Sequence, residues 1–231
     1  MSSLMDSLLE VIGAKFPLES LDVGEFGALK VSGMKFTLSA YKANGLGHVS
    51  CMSAKGFFGL MKMDTLIIVP QDKDLPLYSY DRIQAMGNDT LYLELYNTVV
   101  GSFDGSSFDA LKKKFTSLPD FDPGKHWYDD IKLSQSIFKK AKKAQGPAFD
   151  EIALDYMKAF VASGADGAGA DGAGVGANGA GAGFDMQEKL KKSQAYVNGL
   201  ITNGGPSTDV FKKALGEEKT SKLFKTVLFG V

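Results

Sequence analysis

The 231-residue chain has one cysteine, one tryptophan, one arginine and two histidines, and each scarcity closes off a class of chemistry. Cys51 alone cannot build an internal disulfide framework and fits a reducing compartment. His48 and His126 share no metal-ligand spacing with each other or with Cys51, which excludes the usual zinc and iron sites. No phosphate loop of the G-x-x-x-x-G-K type occurs, and no G-x-S-x-G nucleophile elbow. Apolar runs such as residues 66–69 are far too short to span a bilayer. The opening MSSLMDSLLEVIGAKF carries an early Asp6 and no basic leader, so it reads as an amphipathic helix and not a secretion signal. The net charge of −1 gives no global bias toward nucleic acid or membrane. These absences predict a soluble intracellular protein, with no bound cofactor, no metal, no nucleic-acid partner and no membrane partner.

What is present is ordinary globular composition, 44% apolar and 23% charged. The basic residues are almost all lysine, in clusters at 112–114 and 139–143. Such clusters are solvated faces or fields that steer an acidic partner.

Leu4, Leu8, Val11 and Ile12 recur at helical spacing and predict a first helix. The period then becomes two: Met34, Phe36, Leu38 and Ala40 alternate with polar neighbours as a half-buried strand. Asn44-Gly45 then predicts a two-residue hairpin into a strand over 47–55. MDTLIIV (63–69) is continuously apolar, as a central strand buried on both faces would be. After a turn at Gly87-Asn88-Asp89, TLYLELY sends Leu91, Leu93 and Leu95 one way and Tyr92, Glu94 and Tyr96 the other. Residues 28–98 thus form an antiparallel meander of about five strands.

Beyond residue 106 the pattern turns helical. SFDALKKKFTSL predicts a helix ended by Pro119, and Ile131, Leu133 and Ile137 suggest one more strand over 131–139. Phe149, Ile152, Ala153, Tyr156, Met157 and Phe160 lie on one helical stripe, and Leu223, Phe224, Val227 and Leu228 mark a closing helix. Strands followed by helices predict one domain, a sheet with helices packed on its faces. Residues 164–183, GADGAGADGAGVGANGAGAG, interrupt this order as a flexible Gly/Ala-rich insertion. Their G-x-G-x-x-G matches follow a helix, whereas a dinucleotide fingerprint follows a strand.

DKDLPLYSYD (72–81) raises the chemical question, because carboxylates beside apolar strands are costly unless used or paired. A calcium loop fails: Pro76 takes a ligand position, Leu77 replaces the turn glycine, and Ile83 stands where a bidentate Glu belongs. Asp72 and Asp74 read as part of a solvated connection. Asp81, directly before Arg82, is either an acid in a pocket or a surface carboxylate paired with Arg82 or capping a turn.

Two stretches resemble the ferredoxin-dependent bilin reductases, whose superfamily includes red chlorophyll catabolite reductase. VPQDKDLPLYSYD (69–81) looks like the family's apolar strand ending in Pro, acidic loop and Leu-Pro-aromatic segment closing on Asp. VFKKALGEEKTSKLFKTVLFGV (210–231) looks like its closing helices. The resemblance implies an α/β/α sandwich, with a mostly antiparallel central sheet flanked by helices. A linear tetrapyrrole such as biliverdin would lie between sheet and C-terminal helices, with single electrons from ferredoxin and protons from the protein. It implies Asp81 as proton donor; Arg82, as a planar fork for a propionate, Tyr80, Glu94 and Trp127 are the candidate substrate-binding residues. For Glu94 an exposed strand face, and for Trp127 a core or loop anchor, are the alternatives read from the residues alone. His126 reads as a surface histidine. The chain departs from the family near Thr65, where many members place a histidine, and at Gly204-Gly205-Pro206, where many carry an acid with Asp209 only close by. A carrier of the same fold that does not reduce its ligand, and an enzyme like red chlorophyll catabolite reductase, therefore stand beside the bilin reductase.

Overall fold

The computed structural model describes residues 3–166, 183–205 and 207–231. Eight strands form one fully antiparallel sheet: β1 (Leu18–Leu21), β2 (Ala28–Val31), β3 (Met34–Ala43), β4 (Gly47–Gly56), β5 (Met61–Pro70), β6 (Leu77–Ala85), β7 (Asn88–Tyr96) and β8 (Ile137–Lys142). The path runs β1-β3-β4-β5-β6-β7-β8, with β2 also paired to β3. Short turns make neighbours of consecutive strands, so β3 to β7 are a meander with β5 at its centre.

The two faces of the sheet bury separate cores because side chains alternate along each strand. On one face Leu66, Ile68, Tyr78, Leu91, Leu93 and Leu95 pack against α1 (Ser3–Gly13), α2 (Ser106–Lys114) and α3 (Gly146–Asp166). On the other, Phe36, Met52, Ile67 and Tyr96 face α4 (Met186–Asn203), α5 (Thr208–Leu215) and the C-terminal segment. That segment is α6 (Glu217–Lys222), continued over Leu223–Leu228 as a π-helix. The protein is an α/β/α sandwich. Among the described residues no helix is long and apolar enough to cross a membrane.

Several local expectations shift. The Asn44-Gly45 hairpin has three loop residues, since Ala43 pairs with Gly47 and the Leu46 amide donates to the Ala43 carbonyl at 3.0 Å. The extra residue is the fully buried Leu46, drawn into the core. At Gly47 (φ +143°) any Cβ would lie 2.3 Å from the Val69 carbonyl oxygen, so only glycine fits. The expected strand over 131–139 begins later, at Ile137, and residues 129–131 form a 3₁₀ turn. Its inward positions are Ile137, Lys139 and Ala141; the buried Lys139 ammonium donates to the Leu118 carbonyl at 2.9 Å and meets Asp120 at 2.7 Å. A lysine on the buried side masks the alternation. α2 stops at Lys114, short of Pro119.

α4 left no apolar stripe to read, because its buried positions are Lys189, Ser193, Tyr196, Val197 and Leu200. The Lys189 ammonium donates to the Thr98 carbonyl at 3.1 Å and to the Leu75 carbonyl, and burial lowers its pKa to about 8. Asp74 likewise is no solvated residue: its carboxylate accepts from the Val100 and Gly101 amides at 2.8 and 2.7 Å. Residues 164–166 complete α3, and the rest of the expected Gly/Ala-rich insertion, apart from residue 183, lies outside the described residues.

Candidate functional site

A cavity of about 420 Å³ lies between the second sheet face and α4, α5 and the C-terminal segment. Its sheet wall follows from strand alternation: Thr65 and Ile67 of β5, Ser79, Asp81 and Ile83 of β6, and Tyr92, Glu94 and Tyr96 of β7 all point the same way. Met34, Met52, Met61 and Met63 extend this wall as an adaptable apolar surface. Tyr196, Phe211, Phe224 and Phe229 close it from the helices.

Asp81 sits midway along this wall. Thr65 is its register partner on β5, and Tyr92 its partner on β7. The Thr65 hydroxyl donates a short hydrogen bond to Oδ1, and the Ser79 hydroxyl donates to Oδ2 at 3.2 Å. Desolvation raises the Asp81 pKa to about 6 from 3.8; the Thr65 and Ser79 bonds oppose the rise and the Glu94 charge adds to it. The carboxyl group is half-buried and open only where the cavity reaches it. A group with that pKa exchanges a proton near neutral pH.

Glu94 is buried on the same face, opposite Ser79 in register. It is not an exposed strand residue: Lys132 approaches its carboxylate at 3.2 Å. Burial raises its pKa, with Lys132 pulling the other way. Behind it Tyr96, Tyr128 and Tyr196 form an aromatic floor, with ring centroids 4.5 Å apart for Tyr96–Tyr196 and 5.6 Å for Tyr96–Tyr128.

Tyr80 and Arg82 point to the opposite face and do not reach the cavity, because they alternate with Ser79 and Asp81 on β6. Tyr80 is buried in the first core. Arg82 does not pair with Asp81: its guanidinium forks onto the fully buried Asp89, Nε–Oδ1 3.0 Å and Nη2–Oδ2 2.7 Å, and also holds Asp150. Its Nη2 donates to the Gly146 carbonyl at 3.2 Å, so Arg82 fastens the start of α3 to the sheet. In this placement the guanidinium does not reach the cavity to grip a ligand carboxylate there.

Trp127 is outside the lining as well. Its indole Nε1 donates to the Gly204 carbonyl at 2.8 Å and its ring covers Gly199 of α4, where a Cβ would lie 2.2 Å from the ring. The lone tryptophan is a loop anchor. Gly199→Ala should therefore displace it, shifting its fluorescence and lowering stability by about 1–3 kcal/mol, the usual range for overpacking; thermal melts followed at tryptophan emission check both.

His126 is the residue that sequence reasoning misplaced. It lines the cavity, stacked on Tyr128 with centroids 4.9 Å apart and planes 7° from parallel. Its Nδ1 has no hydrogen-bond partner, and the nearest carboxylate oxygen, on Asp129, is 3.9 Å away. The Thr208 hydroxyl also lines the cavity and is also unpartnered. Only the aromatic run His126-Trp127-Tyr128 in the sequence hints at this wall. Among the described residues no lysine or arginine lines the cavity, which combines two acids, several hydroxyls and a large apolar surface.

The arrangement is a single antiparallel sheet between two helical layers, with the cavity on the side of the C-terminal helices. Neither known family models nor curated protein sequences give a match to this chain. Among solved structures, phytochromobilin synthase from tomato, crystallised with biliverdin, superposes with a TM-score of 0.73 at 14% identity, covering 96% of this chain and 80% of that one. The likeness is one of fold.

Proposed function

We propose that the protein binds a linear tetrapyrrole of the biliverdin type in the cavity and reduces it, with single electrons from ferredoxin and a proton from Asp81. One observation carries this reading: a carboxyl group oriented by two hydroxyls stands on the wall of a largely apolar cavity, in the fold of a protein crystallised with biliverdin. Tetrapyrrole reduction needs such a group. Adding one electron to the conjugated ligand makes it more basic, and a nearby acid traps it by protonation. The neutral acid, favoured by burial, is the form that donates.

The pattern of charge adds a constraint on orientation. With no lysine or arginine on the lining among the described residues, carboxylate side chains of a bilin find no fixed counter-charge in the cavity and belong at its mouth. The pyrrole system then faces Asp81, and the four methionines and Tyr196 pack against its flat surfaces. Glu94 and His126 are the groups on the same lining from which a further proton would come.

Titration with biliverdin tests binding directly. A saturable, red-shifted absorbance band is expected, attenuated when Met63 or Tyr196 is replaced by a charged residue. A carrier of the same fold is the second reading, favoured by Thr65: the side chain that faces Asp81 is a neutral hydroxyl and not a second acid. A bound pigment that reduced ferredoxin never bleaches is the result a carrier would give.

A further inference from the structure

Away from the cavity, three hairpin turns gather at one end of the sheet, and their side chains are the wrong ones for ordinary turns. The register places the β4–β5 turn (residues 57–60) beside the β6–β7 turn (86–87), since Gly56 pairs with Met61, Met61 with Ala85, and Ala85 with Asn88. The β2–β3 turn (32–33) is at the same end, since Lys30 pairs with Lys35 and Lys35 with Lys55. All four described non-glycine residues with positive φ occur in these turns: Ser32 (50°), Phe57 (51°), Phe58 (55°) and Met86 (51°).

Left-handed backbone disfavours bulky side chains, and two-residue hairpin turns ordinarily place Asn, Asp or Gly there. Met86-Gly87 has methionine where asparagine would be less strained. Nor are the apolar groups folded away to offset this strain. Phe58 is fully exposed, Leu60 is 73% exposed and Met86 92%, and Phe57 is exposed beside them. Local rules broken without a packing gain mark a surface kept for another purpose.

The charge just behind these tips is equally ordered. Lys30, Lys35, Lys55 and Lys62 are direct register partners across β2, β3, β4 and β5, and all four are exposed. Directly opposed like charges disfavour the sheet. Among the described residues none of the four has a carboxylate within ion-pair distance, and Asp64, two positions on from Lys62 on the same face, accepts from the Ser53 hydroxyl at 2.6 Å. The row continues through Gln84 to Asp89, whose buried carboxylate is already taken by Arg82 and Gln84. Although the net charge of the chain is only −1, this end is locally basic with an apolar crest.

We propose that this end of the sheet is a membrane-surface contact, in which Phe57, Phe58, Leu60 and Met86 enter the acyl boundary of an anionic bilayer and the four lysines meet its headgroups. Protruding apolar side chains backed by a row of cations match the layering of such an interface, apolar deeper and anionic outside. A flat acidic protein surface would leave Phe58 and Met86 without a socket, so the bilayer is the better complement. Peripheral contact of this kind needs no spanning helix, and it departs from the sequence-based expectation of no membrane partner. It holds whatever the cavity binds. Met61, next after Leu60, and Met34, packed on Gly56, line the cavity, so its methionine wall begins where the crest ends.

The test is sedimentation of the full chain with phosphatidylcholine vesicles, with and without phosphatidylserine, at low and high salt. Binding is expected only with phosphatidylserine and should weaken as salt rises. The variant Phe57→Asn/Phe58→Asn/Met86→Asn should lose at least about tenfold in vesicle affinity. Its melting temperature should stay level or rise, because asparagine suits the left-handed turns. Lys55→Glu/Lys62→Glu should abolish the dependence on phosphatidylserine while biliverdin binding stays unchanged. No vesicle binding at low salt would overturn the assignment. So would binding unaffected by the asparagine variant, or capture of an acidic protein at this face without vesicle binding.

Discussion

Asp81→Asn is expected to abolish turnover of the bound bilin, by at least about a hundredfold, while ligand affinity changes little; the factor is the low end of what a positioned general acid contributes. Asparagine is nearly isosteric and can still meet the Thr65 and Ser79 hydroxyls, so the cavity wall keeps its shape. What it lacks is the exchangeable acid proton. The pH profile of the wild-type protein carries the same signature. With the Asp81 pKa at about 6, the donating form dominates below that value, and the reduction rate should fall above it, approaching tenfold per pH unit. The variant should have no such limb. Unchanged turnover in Asp81→Asn would remove this residue from the mechanism.

The same substitution has a stability consequence whose sign is fixed. The folded-state pKa of Asp81, about 6, lies above the ordinary 3.8, so the native state binds this proton more tightly than the unfolded chain does. The resulting destabilisation is absent at low pH, grows as pH rises from near 3.8, and is complete above about 6. Asp81→Asn removes it, and should stabilise the protein at neutral pH by at most about 3 kcal/mol, with the gain vanishing in acid. Urea unfolding at several pH values measures this directly.

The second large effect concerns the only arginine. Arg82→Met should destabilise the fold by about 3–5 kcal/mol, because it leaves the fully buried Asp89 without its counter-charge. Arg82→Lys should recover only part of the loss, since an ammonium cannot reproduce the two-pronged contact with Asp89 while also holding Asp150 and the Gly146 carbonyl. Neither change should alter ligand affinity of the folded protein, because Arg82 is on the face away from the cavity. Loss of affinity at full folding would place Arg82 in ligand binding after all. Denaturation curves paired with bilin titration separate the two.

Asp81 and Arg82 also show how far the sequence could be read. Alternation along a strand is local, and it correctly divides Leu91, Leu93 and Leu95 from Tyr92, Glu94 and Tyr96. Applied to residues 79–82, the same rule assigns adjacent residues to opposite faces, so Asp81 and Arg82 could never serve one pocket. The central strand, the first helix and the stripe from Phe149 to Phe160 were legible because the buried positions there, Thr65 apart, are apolar. α4 and β8 were obscured for the opposite reason: Lys189 and Lys139 occupy inward positions and satisfy their ammonium groups with backbone carbonyls that only tertiary structure supplies. His126 was illegible for a related reason. A loop residue carries no periodicity, and its place on the cavity wall depends on stacking against Tyr128 and on where α4 packs.

The proposed reduction goes beyond pigment binding. Its most direct test is anaerobic addition of reduced ferredoxin to the preformed biliverdin complex, followed by absorbance and by chromatography of the pigment. The long-wavelength band is expected to decay to a blue-shifted product in the wild-type protein and to persist in Asp81→Asn. A wild-type complex whose spectrum and pigment survive unchanged would contradict it.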